Sequence, residues 1–148
     1  MIERDAAMST DEGKALMRRF IDEWNKGDTE ALNRIIEEMV DADFVNHSAA
    51  NADESRGPES VMKVFGAFRA AFPYGLTTIE AMVAEGDKVV TRWTFRGTHE
   101  GEFAGFTPTG THMTLTGINI DRIEGGKFVE RWYQMDMLGL MRQLGGPS

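Results

Sequence analysis

The stretch NIDRIEGGKFVERWYQMD, residues 119–136, predicts the element on which the fold depends. Two runs of alternating polar and apolar residues flank a Gly-Gly pair, which is the pattern of a β-hairpin. With a one-residue bulge beside the turn, Asn119 lies opposite Tyr133. The same register sets Asp121 opposite Arg131. Because side chains alternate between the two faces of a strand, we expect these four to share one face.

The opposite face of the same hairpin is also unlike a free surface. It carries Trp132 with Ile118 and Ile120, a group too apolar for open solvent. Arg122 and Glu130 lie on it as well, and we expect them to form a cross-strand ion pair. Both faces are therefore predicted to be covered, the first by a pocket and the second by the sheet of another subunit.

The rest of the chain predicts three helices and a second hairpin. Apolar residues recur at helical spacing in three segments: the first ends near Gly27, the second follows GDT, and the third begins near Pro58. DADFVNHSA, residues 41–49, breaks this period and predicts a short strand. LTTIEAMVAEGDKVVTRWTFRGTHEGEF, residues 76–103, predicts two strands joined near its Gly-Asp pair. This is an α+β order with a mostly antiparallel sheet, and a strongly curved sheet over helices would enclose a pocket.

Length and composition limit the class of protein. The 148 residues predict one domain, residues 9–148, after a flexible N-terminal arm over residues 1–8. Ser9 and Glu12 fit a capping box at the start of the first helix. The formal net charge of −8 argues against binding to nucleic acid or to an anionic membrane. The absence of cysteine excludes disulfides and thiolate catalysis. No signal peptide or membrane span is predicted, so a cytoplasmic location is expected.

Several of these stretches resemble the SnoaL-like branch of the NTF2-like superfamily. The matching motifs extend over nearly the whole chain and are DFVNH, GPESV, FRAAFP, VAEGDKVVTRWTFRGTHEGEF, PTG, DRIEGGKFVERW and DMLGLMRQLG. The resemblance implies a cone with a deep apolar pocket between helices and sheet. It also implies a reaction without metal or cofactor, such as the intramolecular aldol closure of polyketide cyclases, which needs a base and a donor to the enolate oxygen.

The resemblance also suggests where the reacting residues lie. Polyketide cyclases of this branch use a histidine on the penultimate strand and an aspartate on the last strand, and the corresponding positions here hold Asn119 and Tyr133. Our candidate catalytic residues are Asn119, Asp121, Tyr133 and His99. Tyr133 could donate to a carbonyl oxygen and Asp121 could act as base; the structural alternative is that Asp121 pairs with Arg131 and Tyr133 packs. His99 is either an acid or base near the pocket mouth or an anchor for the PTG loop.

The candidate ligand contacts come from several elements. In this fold the end of the first helix and the DFVNH segment border the cavity, and an inward arginine would bind a ligand carboxylate. The contacts we expect are Phe20, Trp24, Asn46, His47, Arg92, Arg131 and Met135. The sequence alone leaves open which face Arg92 occupies. The histidines show no metal-binding spacing, so neither a metal nor a cofactor is expected.

Three functional hypotheses fit this sequence. The first is a homo-oligomeric enzyme that binds a small hydrophobic molecule and catalyses a cyclase-like or isomerase-like reaction by acid-base chemistry. The second is an enzyme like the limonene epoxide hydrolases of the same superfamily. Those enzymes need an Asp-Arg-Asp cluster, which the strand around Arg92 and Thr94 does not obviously supply. The third is a ligand-binding or interaction module of the same fold without catalysis.

Overall fold

The computed structural model describes residues 10–49 and 55–145. Within these residues the elements are α1 Thr10–Asn25, α2 Thr29–Met39, β1 Val40–Asn46, α3 Gly57–Ala71, β2 Leu76–Glu85, β3 Lys88–Thr98, β4 His112–Glu124, β5 Lys127–Met135 and α4 Met137–Gln143. The three predicted N-terminal helices, the short strand β1 and the four consecutive strands are confirmed. The predicted arm over residues 1–8 and Ser9 of the capping box lie outside the described residues.

The helices begin where the sequence provides a local signal. The carboxylate of Asp28 accepts a hydrogen bond from the backbone N–H of Ala31 at 3.0 Å, which caps α2. Pro58 lies in the first turn of α3, where its missing N–H costs nothing. Asp136 caps α4 by accepting a 2.9 Å hydrogen bond from the backbone N–H of Gly139. Asp136 therefore has a structural role at the start of α4.

The five strands form one curved sheet in the order β1-β5-β4-β3-β2. β1 runs parallel to β5, and the other neighbouring pairs are antiparallel. A bulge follows Arg122 in the β4–β5 hairpin, and beyond it Asn119 pairs with Tyr133. Asp121 pairs with Arg131 on the adjacent rung of the same face. The predicted register of this hairpin is confirmed.

An aromatic core joins the helices to the inner face of the sheet. Phe20 of α1 meets Phe65 of α3 and Phe128 of β5 edge to face, with ring centroids 5.1 and 6.0 Å apart. Trp24 meets Phe65 and Phe95 of β3 at 5.0 and 5.9 Å. Burial of each such side chain stabilises the fold by roughly 1.5–3 kcal/mol. The core is therefore strong around α1, and it leaves a space between α1, α3 and the sheet.

None of the helices in residues 10–49 and 55–145 is long and apolar enough to cross a membrane. In the same residues, no three histidine, cysteine, aspartate or glutamate side chains are grouped so that they could hold a metal ion.

Candidate functional site

A cavity of about 90 Å³ lies between α1, α3 and the inner face of the sheet. One water molecule needs roughly 10–15 Å³ of such space, so there is room for a small organic molecule. The apolar part of the wall comprises Met17, Ile21, Trp24, Phe44, Val61, Val64, Phe65, Phe68, Trp93, Phe95, Leu115 and Met135. The polar part comprises Asn46, Ser60, Thr77, Thr91, Asn119, Arg131 and Tyr133. A mostly apolar wall with a few polar groups is the usual form of a small-molecule site.

Two candidate catalytic residues, Asn119 and Tyr133, come together in the cavity wall. They are cross-strand partners on the inner face of the β4–β5 hairpin. The indole N–H of Trp93 donates a 3.0 Å hydrogen bond to the Asn119 side-chain oxygen. Since that oxygen is engaged, the amino group of the Asn119 amide is the end that can donate to a ligand. Tyr133, its cross-strand partner, adds a phenol side chain to the same wall.

The next rung of the hairpin holds a buried ion pair. Arg131 Nε donates to Asp121 Oδ1 at 2.5 Å, and the two side chains are 7% and 0% exposed. Arg131 lines the cavity, whereas Asp121 lies behind it and is absent from the wall. Burial raises the pKa of the Asp121 carboxyl, and the charge and hydrogen bond of Arg131 oppose that rise. Phe20, Phe44 and Phe128 surround the guanidinium with ring centroids 5.4–5.9 Å away.

Two buried polar atoms, one of them in this ion pair, lack hydrogen-bond partners among the described residues. Asp121 Oδ2 and Thr91 Oγ1 have no hydrogen bond within the described structure, although both residues are almost fully buried. Thr91 lies opposite Asn119 on β3 and lines the cavity. An unsatisfied buried polar group costs about 1–3 kcal/mol, so its retention calls for an explanation. Thr91 and Trp93 were missed by the sequence analysis, although their alternation in VVTRWTF gives them the same face.

Only some of the expected ligand contacts lie in the cavity wall. Trp24, Asn46 and Met135 line the cavity together with Arg131. Phe20 is buried in the core behind the wall and is 1% exposed. The other two expected contacts, His47 and Arg92, are placed elsewhere.

Arg92 and His47 lie on the outer face and not beside the cavity. Thr91 and Trp93 line the cavity, so the alternation of β3 turns Arg92 outward, where it is exposed. His47 follows β1, stacks on Trp132 with ring centroids 4.6 Å apart, and bonds Glu130 at 2.7 Å. The structure therefore does not bring these two expected contacts to the cavity.

His99 is also away from the cavity wall. Its side chain is fully buried, and its Nδ1 accepts a hydrogen bond from the backbone N–H of Thr109 at 3.2 Å. The His99 carbonyl accepts from the backbone N–H of Gly110 at 2.9 Å. The ring packs against Phe72, with centroids 5.5 Å apart. These contacts match the second of the two roles considered for His99, an anchor for the PTG loop.

The curved sheet, the helices over it and the apolar cavity between them define a class of α+β proteins with a small-molecule site. The family comparison agrees with this class. The model of the SnoaL-like polyketide cyclase family matches residues 14–144, so this chain belongs to that family.

Individual relatives and solved structures are also similar to this chain. The chain is 29% identical over 134 residues to the aklanonic acid methyl ester cyclase DnrD of Streptomyces peucetius, covering 89% of this chain and 90% of the relative. Among solved structures, TsrD from Streptomyces laurentii superposes with a TM-score of 0.82 at 29% identity, covering 95% of this chain and 99% of that one. IdmH from Streptomyces antibioticus has a TM-score of 0.74 at 31% identity, with 89% and 97% covered.

Proposed function

We propose that this protein binds a small, largely apolar molecule in the cavity. It then catalyses the closure of a ring within that molecule, without a cofactor. The reaction class follows from the family and from relatives that are aklanonic acid methyl ester cyclases. The observation that carries the proposal is the position of Asn119 and Tyr133. They are cross-strand partners in the cavity wall. The family resemblance implies that they occupy the positions of the reacting pair of polyketide cyclases.

An intramolecular aldol closure develops negative charge on oxygen twice. A proton leaves a carbon next to a carbonyl group, and the enolate carbon then bonds to a second carbonyl carbon. The alkoxide oxygen formed in that step takes up a proton, so the product is an isomer of the substrate. The amino group of Asn119 and the hydroxyl of Tyr133 are donors for these oxygens. Fixed donors in a water-poor site lower the barrier by stabilising the developing charge.

The reaction also needs a base that accepts the proton from carbon. The cavity wall in the described residues contains no carboxylate or imidazole. Asp121 is engaged by Arg131 and lies behind the wall, so it acts on the substrate only through Arg131. Carbon positions between two carbonyl groups are acidic enough to lose a proton to water when the enolate is stabilised. We therefore assign proton acceptance to a water molecule in the cavity.

Incubation with aklanonic acid methyl ester tests this proposal, with chromatography and mass spectrometry as the readout. The protein should form a product of unchanged mass. Tyr133→Phe keeps the ring but removes one donor, and it should lower kcat about 10²-fold, as loss of one oxyanion donor does elsewhere. Tyr74→Phe is the matched control, because Tyr74 is 81% exposed. Equal rates for the two variants would contradict the role of Tyr133.

Binding without catalysis is the second candidate, and the lack of an acid or imidazole in the described wall favours it. In that case the ester would change the fluorescence of Trp24 and Trp93, which line the cavity, but no isomer would form. Epoxide hydrolysis has less support. The inner face offers the pair Asp121–Arg131, and no second aspartate joins it in the described residues.

We also propose that two copies associate through the outer face of the sheet. Val83, Val90, Ile120 and Trp132 are successive register partners and form an apolar stripe across four strands. Val83 and Ile120 are 62% and 37% exposed. A stripe across the middle of a sheet can meet its own copy about a two-fold axis.

Light scattering after gel filtration tests this association. Ile120→Lys should shift the protein to the mass of one chain, because a charge in the stripe would be desolvated in the interface. Leu138→Lys is the control, since Leu138 is 60% exposed on α4 and is not a member of the stripe. A single-chain mass for the unmodified protein would show that the proposal is wrong.

A further inference from the structure

We propose that Arg131 and Thr91 form a subsite for an anionic oxygen of the ligand, such as a carboxylate or enolate. This inference rests on the proposed ligand-binding function of the cavity and adds the chemistry that selects the ligand. It gives a function to the Nη donors of Arg131 and the hydroxyl of Thr91, which form no hydrogen bonds in the described core.

The first support is the unused capacity of Arg131. A guanidinium group carries five N–H donors, and Asp121 engages the one on Nε. The Nη donors have no hydrogen-bond partner in residues 10–49 and 55–145, although the side chain is only 7% exposed. Arg131 lines the cavity, so its Nη donors are available to a ligand there. Two Nη groups in one plane suit a carboxylate or an enolate oxygen.

The second support is how Arg131 is held. Asp121 fixes the Nε end from behind the wall, and the rings of Phe20, Phe44 and Phe128 surround the guanidinium. Its position is therefore set before a ligand arrives, which reduces the entropy lost on binding. A structural ion pair would not need the charged group to border a cavity.

The third support is the unpartnered hydroxyl of Thr91. Thr91 is 1% exposed, lines the same cavity, and has no hydrogen bond for Oγ1 in the described structure. Valine has nearly the same shape and would remove the unsatisfied group. Oγ1 is itself buried from water in this structure, and a bound ligand oxygen would supply the partner that it lacks. Thr91 lies opposite Asn119, so its hydroxyl, the Asn119 amide and Arg131 all border one inner face.

The ligand that fits this arrangement has two parts. The wall of aromatic and aliphatic side chains accepts an apolar ring body, and the polar groups accept an anionic oxygen at its edge. A matched pair of probes separates these parts: 2-naphthoate carries a carboxylate, and 2-naphthamide has the same shape without charge. Isothermal titration at pH 7.5 with the full chain should show the carboxylate binding at least about tenfold more tightly, as charge-assisted hydrogen bonds allow.

Variants connect this preference to the two residues. Thr91→Val leaves no buried charge behind and should reduce the preference for naphthoate about threefold, roughly the effect of one modest hydrogen bond. Asp121→Asn combined with Arg131→Gln removes both charges together, so that neither is left unpaired, and should abolish the preference. Arg96→Gln, at an exposed position of β3, removes one positive charge elsewhere and should leave the preference unchanged.

The outcomes distinguish the two proposals. If both probes bind equally, the cavity binds ligands but the anionic subsite is wrong. If neither probe binds, the ligand-binding proposal and the subsite both fail. If the double variant, shown to be folded by circular dichroism, keeps the full preference, then Arg131 is not the group that recognises the charge.

Discussion

Two ion pairs on neighbouring rungs of one hairpin differ in how deeply they are buried. Asp121–Arg131 lies on the inner face with side chains 0% and 7% exposed. Arg122–Glu130 lies on the outer face with side chains 26% and 24% exposed. Both are arginine–carboxylate contacts of 2.5 Å between the same two strands. The chemistry of the partners is equal, so the differences come from their surroundings.

The two carboxyl groups are shifted in opposite directions. Burial raises the pKa of Asp121, because loss of water around a carboxylate outweighs the attraction of Arg131. The hydrogen bonds from Arg122 and then His47 lower the pKa of Glu130, where water still surrounds the group. The inner pair therefore carries a desolvation cost and borders the cavity. The outer pair remains partly solvated and joins β4 to β5 at the surface of the sheet.

The largest effect is expected from removing one member of the inner pair. Arg131→Met leaves the Asp121 carboxyl buried without its partner and should lower the free energy of unfolding by about 3–5 kcal/mol. Arg122→Met is the matched variant on the outer face and should cause a much smaller loss, because water replaces the missing partner. Urea denaturation followed by circular dichroism measures both. Similar losses for the two variants would mean that burial does not separate the pairs.

A smaller loss is expected when both inner charges are removed together. Asp121→Asn with Arg131→Gln leaves no unpaired charge, and the two amides can hydrogen-bond one another. The double variant should therefore be more stable than Arg131→Met, since most of the single-variant loss comes from the stranded carboxyl group. The same denaturation experiment gives the answer. A double variant as unstable as the single one would show that shape, and not charge, dominates this site.

The smallest effect concerns acid stability of the outer face. Glu130 has a lowered pKa in the folded state, so it stabilises the fold above its unfolded pKa of about 4.3. That contribution is lost as the pH falls through the lowered folded value. Glu130→Gln should therefore be less stable than the unmodified protein at pH 7, and the gap should narrow below about pH 4. Urea midpoints between pH 7 and pH 3 measure it.

Glu37→Gln is the control for that experiment, because Glu37 is an exposed carboxylate on α2 that forms no ion pair within the described residues. A gap that stays constant across the pH range would contradict the assigned cause, since a titrating group must produce a pH-dependent difference.

Much of the fold could be predicted because its signals are local. Helical spacing, Pro58 and the Gly-Gly turn each specify an element from a few neighbouring residues. The register of the hairpin followed as well, since one bulge and the alternation of side chains fix every pair along it. Part of the candidate site was accessible for the same reason, because Asn119, Arg131 and Tyr133 share the inner face of that hairpin.

The face of Arg92 and the surroundings of His47 could not be read from the sequence. β3 alternates charged with aromatic residues, and this pattern is compatible with either face until β2 and β4 pair with it. His47 meets Glu130 and Trp132 because β1 pairs with a strand more than 80 residues later in the chain. Thr91 was missed because a threonine in a strand is ordinary unless its hydroxyl is known to lack a partner.

The sequence by itself determined the order of elements, the hairpin register and the family, because these depend on spacing and short motifs. Tertiary structure alone decided which polar groups border the cavity and which lie behind its wall. Arg131 and Asp121 are equally inward by alternation, yet Arg131 reaches the cavity and Asp121 does not. That distinction depends on side-chain length and on how α1, α3 and the sheet close around the hairpin, and no local pattern contains it.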